Sequence, residues 1–169
     1  MNIFVLDSNV ILCAQYHNDK HVIKMILETA QLLCSAHWVN GTEAPYKKTH
    51  VNHPCSIWVR ESISNYKWLC NLGKELCKEY TYRRGRRHKT EDVIHWLIVN
   101  LPNIKDIGLT PFAQAMPDYL RDNNSVIAYR QYYILEKQHL ANWSERSKPY
   151  WYNSAISKKY IYINNQYIY

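Results

Sequence analysis

Residues 20–38 read KHVIKMILETAQLLCSAHW. Apolar residues recur three and four positions apart through this stretch, which is the spacing of one face of an α-helix. Asn40-Gly41 follows and provides the kind of stop that ends a helix. We therefore predict one long helix that runs from about Ile11 or Ala14 to Trp38.

The rest of the chain shows the same helical character. It has only four glycines in 169 residues, and the apolar spacing of three and four recurs beyond the first helix. We therefore predict an all-α fold: a single compact domain of three to five helices with an extended N-terminal segment and an aromatic C-terminal tail. The caps, prolines and glycines predict the following segments: an extended stretch at 2–6, a turn at 7–9, a helix from Pro54 or Ser56 to about Tyr82 ended by Gly85, a helix from Thr90 to before Pro102, a short helix from Thr110 to Pro117, and a last helix from 122–125 to about Trp143.

The pattern changes after Lys148-Pro149, where tyrosine, isoleucine and asparagine dominate. We expect residues 1–152 to form one helical domain and residues 153–169 to form an aromatic extension. A chain of this length can bury one core without a second domain.

Charge and cysteine usage limit the class of protein. The net charge of +7 and the pI near 9.1 fit a polyanionic partner. Five cysteines make an odd number without a Cys-x-x-Cys pair, so we expect reduced thiols, no signal peptide and an intracellular location in the cytoplasm or nucleus of a host cell or in a nucleoid, not a secreted protein. No apolar run reaches the roughly 18 residues of a membrane span, so we expect no membrane association.

A basic cluster stands at residues 83–89, Arg-Arg-Gly-Arg-Arg-His-Lys. The chain also carries fifteen tyrosines and six tryptophans. Lys and Arg attract phosphates, and aromatic faces stack on unpaired bases, so the combination indicates nucleic acid. The alternative is a solvated basic turn beside ordinary core aromatics.

His17, His21, Lys24 and Glu28 follow one another at intervals of four, three and four. On an α-helix they lie along one stripe. Such a stripe faces a cleft or a charged partner, or it is a solvated face with ordinary ion pairs. A carboxylate among basic groups suits proton transfer or stabilisation of an oxocarbenium cation at a glycosidic bond.

His50 and His53 lie where a loop meets the predicted helix at Pro54. A helix N-terminus receives anions, and the imidazoles could add hydrogen bonds to a phosphate. The alternative is that one histidine caps the helix and the other is exposed. His17-x3-His21 with His50 or His53 has workable metal-ligand spacing, but neither a Cys pair nor a His-Glu-x-x-His motif accompanies it, so we expect no metal and no cofactor.

Three motifs resemble the phage-type pyrimidine-dimer DNA glycosylase family, also called the endonuclease V type. His21 lies seven residues before Glu28, as in the family's first helix. Asn52-His53-Pro54 is followed by Glu75, Glu79 and Arg84-Gly85, and residues 148–152 read Lys-Pro-Tyr-Trp-Tyr, like the family's aromatic element that contacts DNA.

The resemblance implies chemistry that begins at the N-terminus. In the family, a free α-amine attacks the sugar C1′, the base leaves, and the imine permits strand cleavage by β-elimination. An α-amine suits this because its pKa lies near neutrality. The family nucleophile is a Thr exposed by Met removal, whereas this chain has Asn2, so three options stay open: the amine of Met1 serves, Asn2 is exposed, or lyase chemistry is absent. Leu27 and Gln31 stand where the phage enzyme has arginines beside its glutamate.

We therefore expect a DNA glycosylase-like enzyme, with or without AP lyase activity, that flips a damaged or modified base from duplex DNA. The expected catalytic residues are Glu28, Met1, Asn2 and His21. The expected nucleic-acid-binding residues are Lys24, His17, His50, His53, Arg83, Arg84, Arg86, Arg87, Lys89, Trp151 and Tyr152. The alternatives are a viral enzyme on the same fold that modifies DNA bases or processes nucleotides, and a non-catalytic module that binds nucleic acid. The sequence leaves the oligomeric state open.

Overall fold

The structure is a computed structural model that describes residues 1–155. Those residues contain α-helices and short 3₁₀ turns and no β-strand, so the prediction of an all-α fold is confirmed. The α-helices are α1 (Val10–Tyr16), α2 (Asp19–Val39), α3 (Pro54–Glu61), α4 (Ile63–Arg84), α5 (Glu91–Val99) and α6 (Ser125–Glu136). The 3₁₀ turns are Asp118–Leu120 and Gln138–Leu140, and residues 150–155 are helical. The predicted extension at 153–169 lies largely outside the described residues.

The predicted long first helix is wrong, because the chain breaks into α1 and α2. His17 and Asn18 between them have extended backbones, with ψ of 134° and 163°. The Asn18 side chain accepts a hydrogen bond from the His21 N–H and caps α2. The capping preference of asparagine therefore overrides the continuous apolar spacing.

The predicted second helix also divides in two. Ser62 separates α3 from α4 with an extended backbone, and its hydroxyl accepts from the Ser64 N–H. Gly85 ends α4 as predicted, in the left-handed conformation with φ of 66°. A glycine reaches this conformation without steric cost.

Two further boundaries differ from the predictions. Residues 110–117 form no helix, because their backbone groups bond to distant side chains: the Thr110 N–H donates to Asn65, and the Ala115 carbonyl accepts from Asn2. Helix α6 ends at Glu136 rather than near Trp143. The third predicted helix, from Thr90 to before Pro102, is observed as α5.

Helix α2 packs against α4 at the centre, with α3 and α5 against both of them and α1 against α4. The three helices α2, α4 and α5 meet closely at Gly73, where an added Cβ would lie 3.0 Å from Thr29 Cγ2 and 3.1 Å from Ile94 Cδ1. Most of α2 is buried. Apart from Val39 at the end of the helix, its exposed residues form one stripe: Lys20, Ile23, Lys24 and Leu27.

All five cysteines are buried and free. Burial raises the pKa of the Cys13, Cys70 and Cys77 thiols to about 12, so they stay protonated and act as apolar side chains. Within residues 1–155, no helix has the length and apolar character needed to cross a membrane.

Candidate active site

The N-terminal segment, residues 2–6, is extended and buried against α2 and α6. Helix α6 holds both ends of this segment. Arg130 Nε donates to the Leu6 carbonyl at 2.9 Å, and Arg130 Nη2 pairs with Asp7 at 3.0 Å. At the other end, the Tyr129 hydroxyl lies 2.9 Å from Asn2 Oδ1.

The Asn2 side chain is an anchor. Its Nδ2 donates to the Ala115 carbonyl at 2.9 Å, and the Cys55 thiol lies 3.6 Å from its Oδ1. The Tyr129 hydroxyl also lies 2.8 Å from the Ala113 carbonyl. The carboxamide is buried and both its oxygen and its nitrogen are hydrogen-bonded, so the Asn2 side chain holds the segment in place. The groups left for chemistry are the backbone nitrogens beside it.

Glu28 is the centre of the site. It is 7% exposed, and its Oε2 accepts from the Asn2 N–H at 3.0 Å. The α-amine of Met1 lies 3.8 Å from the same oxygen, and Lys24 Nζ lies 3.3 Å from Oε1. The structure thus brings Glu28, Met1, Asn2 and Lys24 together, as expected. If Met1 were removed, the nitrogen 3.0 Å from Glu28 would become the α-amine.

The loop after α2 brings His53 toward this centre. Ser35 and Thr49 exchange two hydrogen bonds, of 2.9 Å and 3.0 Å, which fix the loop on α2. His53 caps α3, because its Nδ1 accepts from the Cys55 N–H at 3.2 Å. Burial lowers the pKa of His53, and the positive N-terminus and His50 lower it further, while Glu28 opposes them.

His50 is exposed and has a left-handed backbone, with φ of 47°. Its Nδ1 lies 2.6 Å from the Thr49 hydroxyl, and its carbonyl accepts from the His53 N–H. The structure therefore agrees with the alternative reading of this pair, in which one histidine caps the helix and the other is exposed. His53 borders the Glu28 centre, where the positive N-terminus and the Glu28 carboxylate act on its pKa in opposite directions.

His17 and His21 are placed differently from the expectation. His17 ends α1 and is fully buried, with Nδ1 2.7 Å from the Cys13 carbonyl. His21 is on α2, two turns and about 10 Å along the axis from Glu28. Its ring stacks on Phe4 at 4.2 Å, and its Nδ1 lies 2.6 Å from the Tyr133 hydroxyl.

Burial lowers the pKa of His17 to about 4 and that of His21 to about 3, so both rings are neutral near pH 7. The expected stripe therefore divides: Lys24 and Glu28 form the site, whereas His17 and His21 lie in an aromatic cluster under the N-terminal segment. We correct the expected catalytic role of His21 and the expected nucleic-acid contact of His17 to packing.

Arg83 also has a structural place. Its guanidinium is buried and bonds to Glu79 Oε1 at 2.8 Å, Asp19 Oδ1 at 3.0 Å, and the carbonyls of His17 and Gln15 at 2.9 Å. Four of the five N–H donors of Arg83 are bonded inside the fold, so we correct its expected phosphate contact to a structural role. The bonds instead join the end of α4 to the junction between α1 and α2.

The other arginines and Lys89 of the basic cluster are exposed, whereas His88 is half-buried against Tyr80. Arg87 pairs with Glu91 at 3.3 Å and Asp92 at 2.8 Å. Within residues 1–155, the structure gives Arg84, Arg86 and Lys89 no ion pair. Within the basic cluster, these three side chains are therefore available to bind a polyanion.

Arg84 of the basic cluster adjoins the exposed stripe of α2. A cleft of about 310 Å³ is lined by Lys20 and Ile23 of that stripe, by Arg84, by residues 138–142, and by Asp19 and Ser144. Lys24 lies one turn further along α2, next to Glu28. Arg84, the stripe and the Glu28 centre therefore follow one surface.

Trp151 and Tyr152 are buried, at 8% and 4% exposure, and do not project as expected. Trp151 packs edge-on against Tyr16 and Tyr133, and Tyr152 packs against Trp143. Their expected role in binding nucleic acid is corrected to packing. Among residues 1–155, no three His, Cys, Asp or Glu side chains are grouped so that they could hold a metal ion.

Sequence reasoning missed the residues that hold Asn2. Tyr129 and Ala115 lie more than 110 positions from Asn2, and nothing in their local sequence marks them. Arg130 was also missed, although it is a basic residue within an otherwise apolar helix. That placement was a usable signal, because a half-buried Arg generally has a carboxylate or carbonyl partner.

The comparison with known proteins concerns the N-terminal part of the chain. The family model described as pyrimidine dimer DNA glycosylase matches residues 1–93, which is more than half of the chain. No curated protein and no solved structure matches this chain. The matched region contains Glu28, the loop at 50–53 and the basic cluster at 83–89. This chain therefore belongs to the pyrimidine dimer DNA glycosylase family.

Proposed function

We propose that this protein is a DNA glycosylase with AP lyase activity that removes a damaged base from duplex DNA. The main support is the buried Glu28 carboxylate, whose Oε2 lies 3.8 Å from the Met1 nitrogen and 3.0 Å from the Asn2 nitrogen. Family membership supports a glycosylase-like function on DNA, and the lyase step and the damaged duplex substrate are our proposals.

The proposed reaction begins with the terminal amine in its neutral form. Its lone pair forms a bond to C1′ of the sugar, the glycosidic bond breaks, and the bonding electrons leave with the base, which takes up a proton. The nitrogen then gives up a proton, and its lone pair forms the second C–N bond while the C1′–O4′ bond of the sugar ring breaks. O4′ takes up a proton, so the product is an open-chain sugar joined to the protein through an imine. Glu28 is placed to accept the amine proton and to stabilise the positive charge that develops at C1′.

The surrounding groups suit an extended anionic substrate. Lys24 stands at the rim of the site with its side chain 67% exposed, and Arg84, Arg86 and Lys89 continue the positive surface. Phosphate contacts of this kind position a duplex without reading its sequence. Removal of a base also requires that the nucleotide leave the stack, which costs least at a damaged step.

Borohydride trapping on duplex DNA with an abasic site tests the imine. The wild-type protein should form a covalent adduct, and Glu28→Gln should lose it by on the order of 100-fold, since a positioned acid or base contributes at least that much. Glu75→Gln is the matched control, because Glu75 also pairs with a lysine on its own helix, Lys78, at 2.7 Å. Intact mass spectrometry of the adduct identifies whether Met1 or Asn2 carries the sugar.

Release of the base is measured separately on ultraviolet-irradiated duplex DNA. A released base supports the glycosylase, whereas an altered base kept in the strand would favour a base-modifying enzyme. If Glu28→Gln and the wild type do not differ in trapping or base release while both bind DNA, the proposal fails and a non-catalytic binding module is left.

A further inference from the structure

Helix α2 exposes two apolar side chains beside the Glu28 centre. Ile23 is 37% exposed and Leu27 is 40% exposed, although most of the helix is buried. Residues four apart lie next to each other on a helix surface, so these two side chains form one apolar ridge. We call Ile23 and Leu27 the α2 ridge.

Cations surround the α2 ridge. Lys20 and Lys24 are the exposed helix residues on its flank, and Lys24 contacts Glu28 at 3.3 Å. Ile23 also shares the cleft of about 310 Å³ with Lys20 and Arg84. Lys20 and Arg84 have no ion pair within residues 1–155, whereas Lys24 is paired with Glu28. An apolar ridge beside such cations is complementary to a duplex, in which stacked apolar bases lie between the phosphates.

The aromatic residues that we expected to contact nucleic acid do not lie on the surface. Trp151 and Tyr152 are buried against other aromatic rings. The α2 ridge is on the same helix as Glu28, and Leu27 is its immediate neighbour in the chain. The α2 ridge therefore lies beside the carboxylate at which the proposed chemistry takes place.

We propose that Ile23 and Leu27 insert as an apolar wedge into the base stack of duplex DNA beside the target nucleotide. The inference rests on the proposed glycosylase function and adds to it the element that opens the duplex. Apolar side chains used in this way replace part of the stacking that the displaced base loses, and they kink the duplex at the insertion step. The flanking lysines would hold the phosphates on either side while the ridge enters.

The test uses a duplex with an unreactive tetrahydrofuran abasic analogue next to 2-aminopurine, whose fluorescence rises when it unstacks. The wild-type protein should raise the fluorescence. Leu27→Gln and the double variant Ile23→Ala/Leu27→Ala should reduce the rise on the order of fivefold, while Leu27→Met should keep it. Affinity for undamaged duplex and its salt dependence should stay unchanged, because no cation is removed.

Ile127→Ala is the matched control, since Ile127 is 44% exposed on α6 and belongs to a different surface. The inference is overturned if Leu27→Gln keeps the full fluorescence rise, or if Ile127→Ala loses as much as the ridge variants. A change of oligomeric state in the double variant, seen by light scattering, would also overturn it, since the ridge would then join two copies. The tetrahydrofuran probe cannot react, so this test is independent of catalysis. If the wild-type protein unstacks the probe but fails the borohydride and base-release assays, the proposed function is contradicted and the proposed wedge is not.

Discussion

Tyr129 shows how one residue far along the chain determines the geometry of the first two. Its hydroxyl lies between Asn2 Oδ1 and the Ala113 carbonyl, and Asn2 in turn presents its backbone nitrogen to Glu28. The contact spans 127 positions, so it forms only when α6 packs over the N-terminal segment. Tyr129 is thus a positioning residue.

We expect Tyr129→Phe to slow covalent trapping on abasic DNA about fivefold to tenfold, because a loosened Asn2 no longer fixes the terminal nitrogens, and loss of one hydrogen bond is worth about 1 kcal/mol. DNA affinity should change little, so the effect falls on the rate of the bound complex. The control is Tyr132→Phe on the same helix, whose hydroxyl has no hydrogen bond within residues 1–155. Equal losses in the two variants would contradict the positioning role.

The buried histidines predict how stability depends on pH. Burial lowers the pKa of His17 to about 4 and of His21 to about 3, against 6.5 for a free histidine. Between these values the unfolded chain binds protons that the folded chain does not, so the free energy of unfolding falls as pH drops from about 6.5 toward 4. For His17 the full effect is on the order of 3 kcal/mol.

Urea unfolding at pH 7, 6, 5 and 4 measures this dependence. The decline should be weaker in His17→Asn, which cannot take up the proton. Asp19 provides a separate signal at lower pH: although burial raises its pKa, hydrogen bonds from Ser144 and Arg83 lower it overall, so its contribution is lost only below about pH 3.8. A wild-type curve that is flat from pH 6.5 to 4 would contradict the prediction.

At the scale of elements, the contact of α2, α4 and α5 depends on a missing side chain. Gly73 leaves no room for a Cβ between Thr29 and Ile94. Thr29 is buried and β-branched, so its Cγ2 has little freedom to move. This contact sets how close α2, which carries Glu28, lies to the centre of the molecule.

We expect Gly73→Ala to lower the free energy of unfolding by about 1 kcal/mol, because overpacking outweighs the gain in helix propensity. The loss should shrink in a Thr29→Ser background, which removes the obstructing Cγ2 atom. Thermal unfolding of the four variants in this cycle gives the coupling. If Ala at 73 costs the same with Thr or Ser at 29, the contact is not the cause.

Across the whole molecule, the positive surface is formed by part of the basic cluster only. Arg83 is used inside the fold and Arg87 pairs with two carboxylates, so Arg84, Arg86 and Lys89 remain. The surface then continues through Lys20 and Lys24 on α2. The contribution of this surface to DNA binding can be measured from the salt dependence of the affinity.

We expect Arg84→Ala to reduce the slope of log K against log salt by about 0.9 for duplex DNA, as one phosphate contact is lost. Arg87→Ala should reduce it by less, because Glu91 and Asp92 already neutralise that charge. Fluorescence anisotropy on a labelled duplex over a salt series gives both slopes. A larger effect of Arg87 than of Arg84 would contradict this division of the cluster.

Local patterns along the chain were sufficient for the class of fold and for naming Glu28 and the N-terminal residues as candidates. Apolar spacing, caps and Gly85 predicted helices at α2, α4 and α5, and the spacing of His21 and Glu28 led to the family. They were sufficient because helix formation and capping depend on residues within about four positions. The same patterns failed at Asn18 and Ser62, where a local cap competed with the apolar spacing and won.

Only the tertiary structure decided which polar and aromatic residues face the solvent. Arg83 and Trp151 are of residue types that often contact DNA, but packing against distant segments buries them. Conversely, Asn2, Glu28 and Tyr129 meet only because the N-terminal segment lies between α2 and α6. Burial depends on the packing of segments far apart in the chain, and that information is absent from any local stretch of sequence.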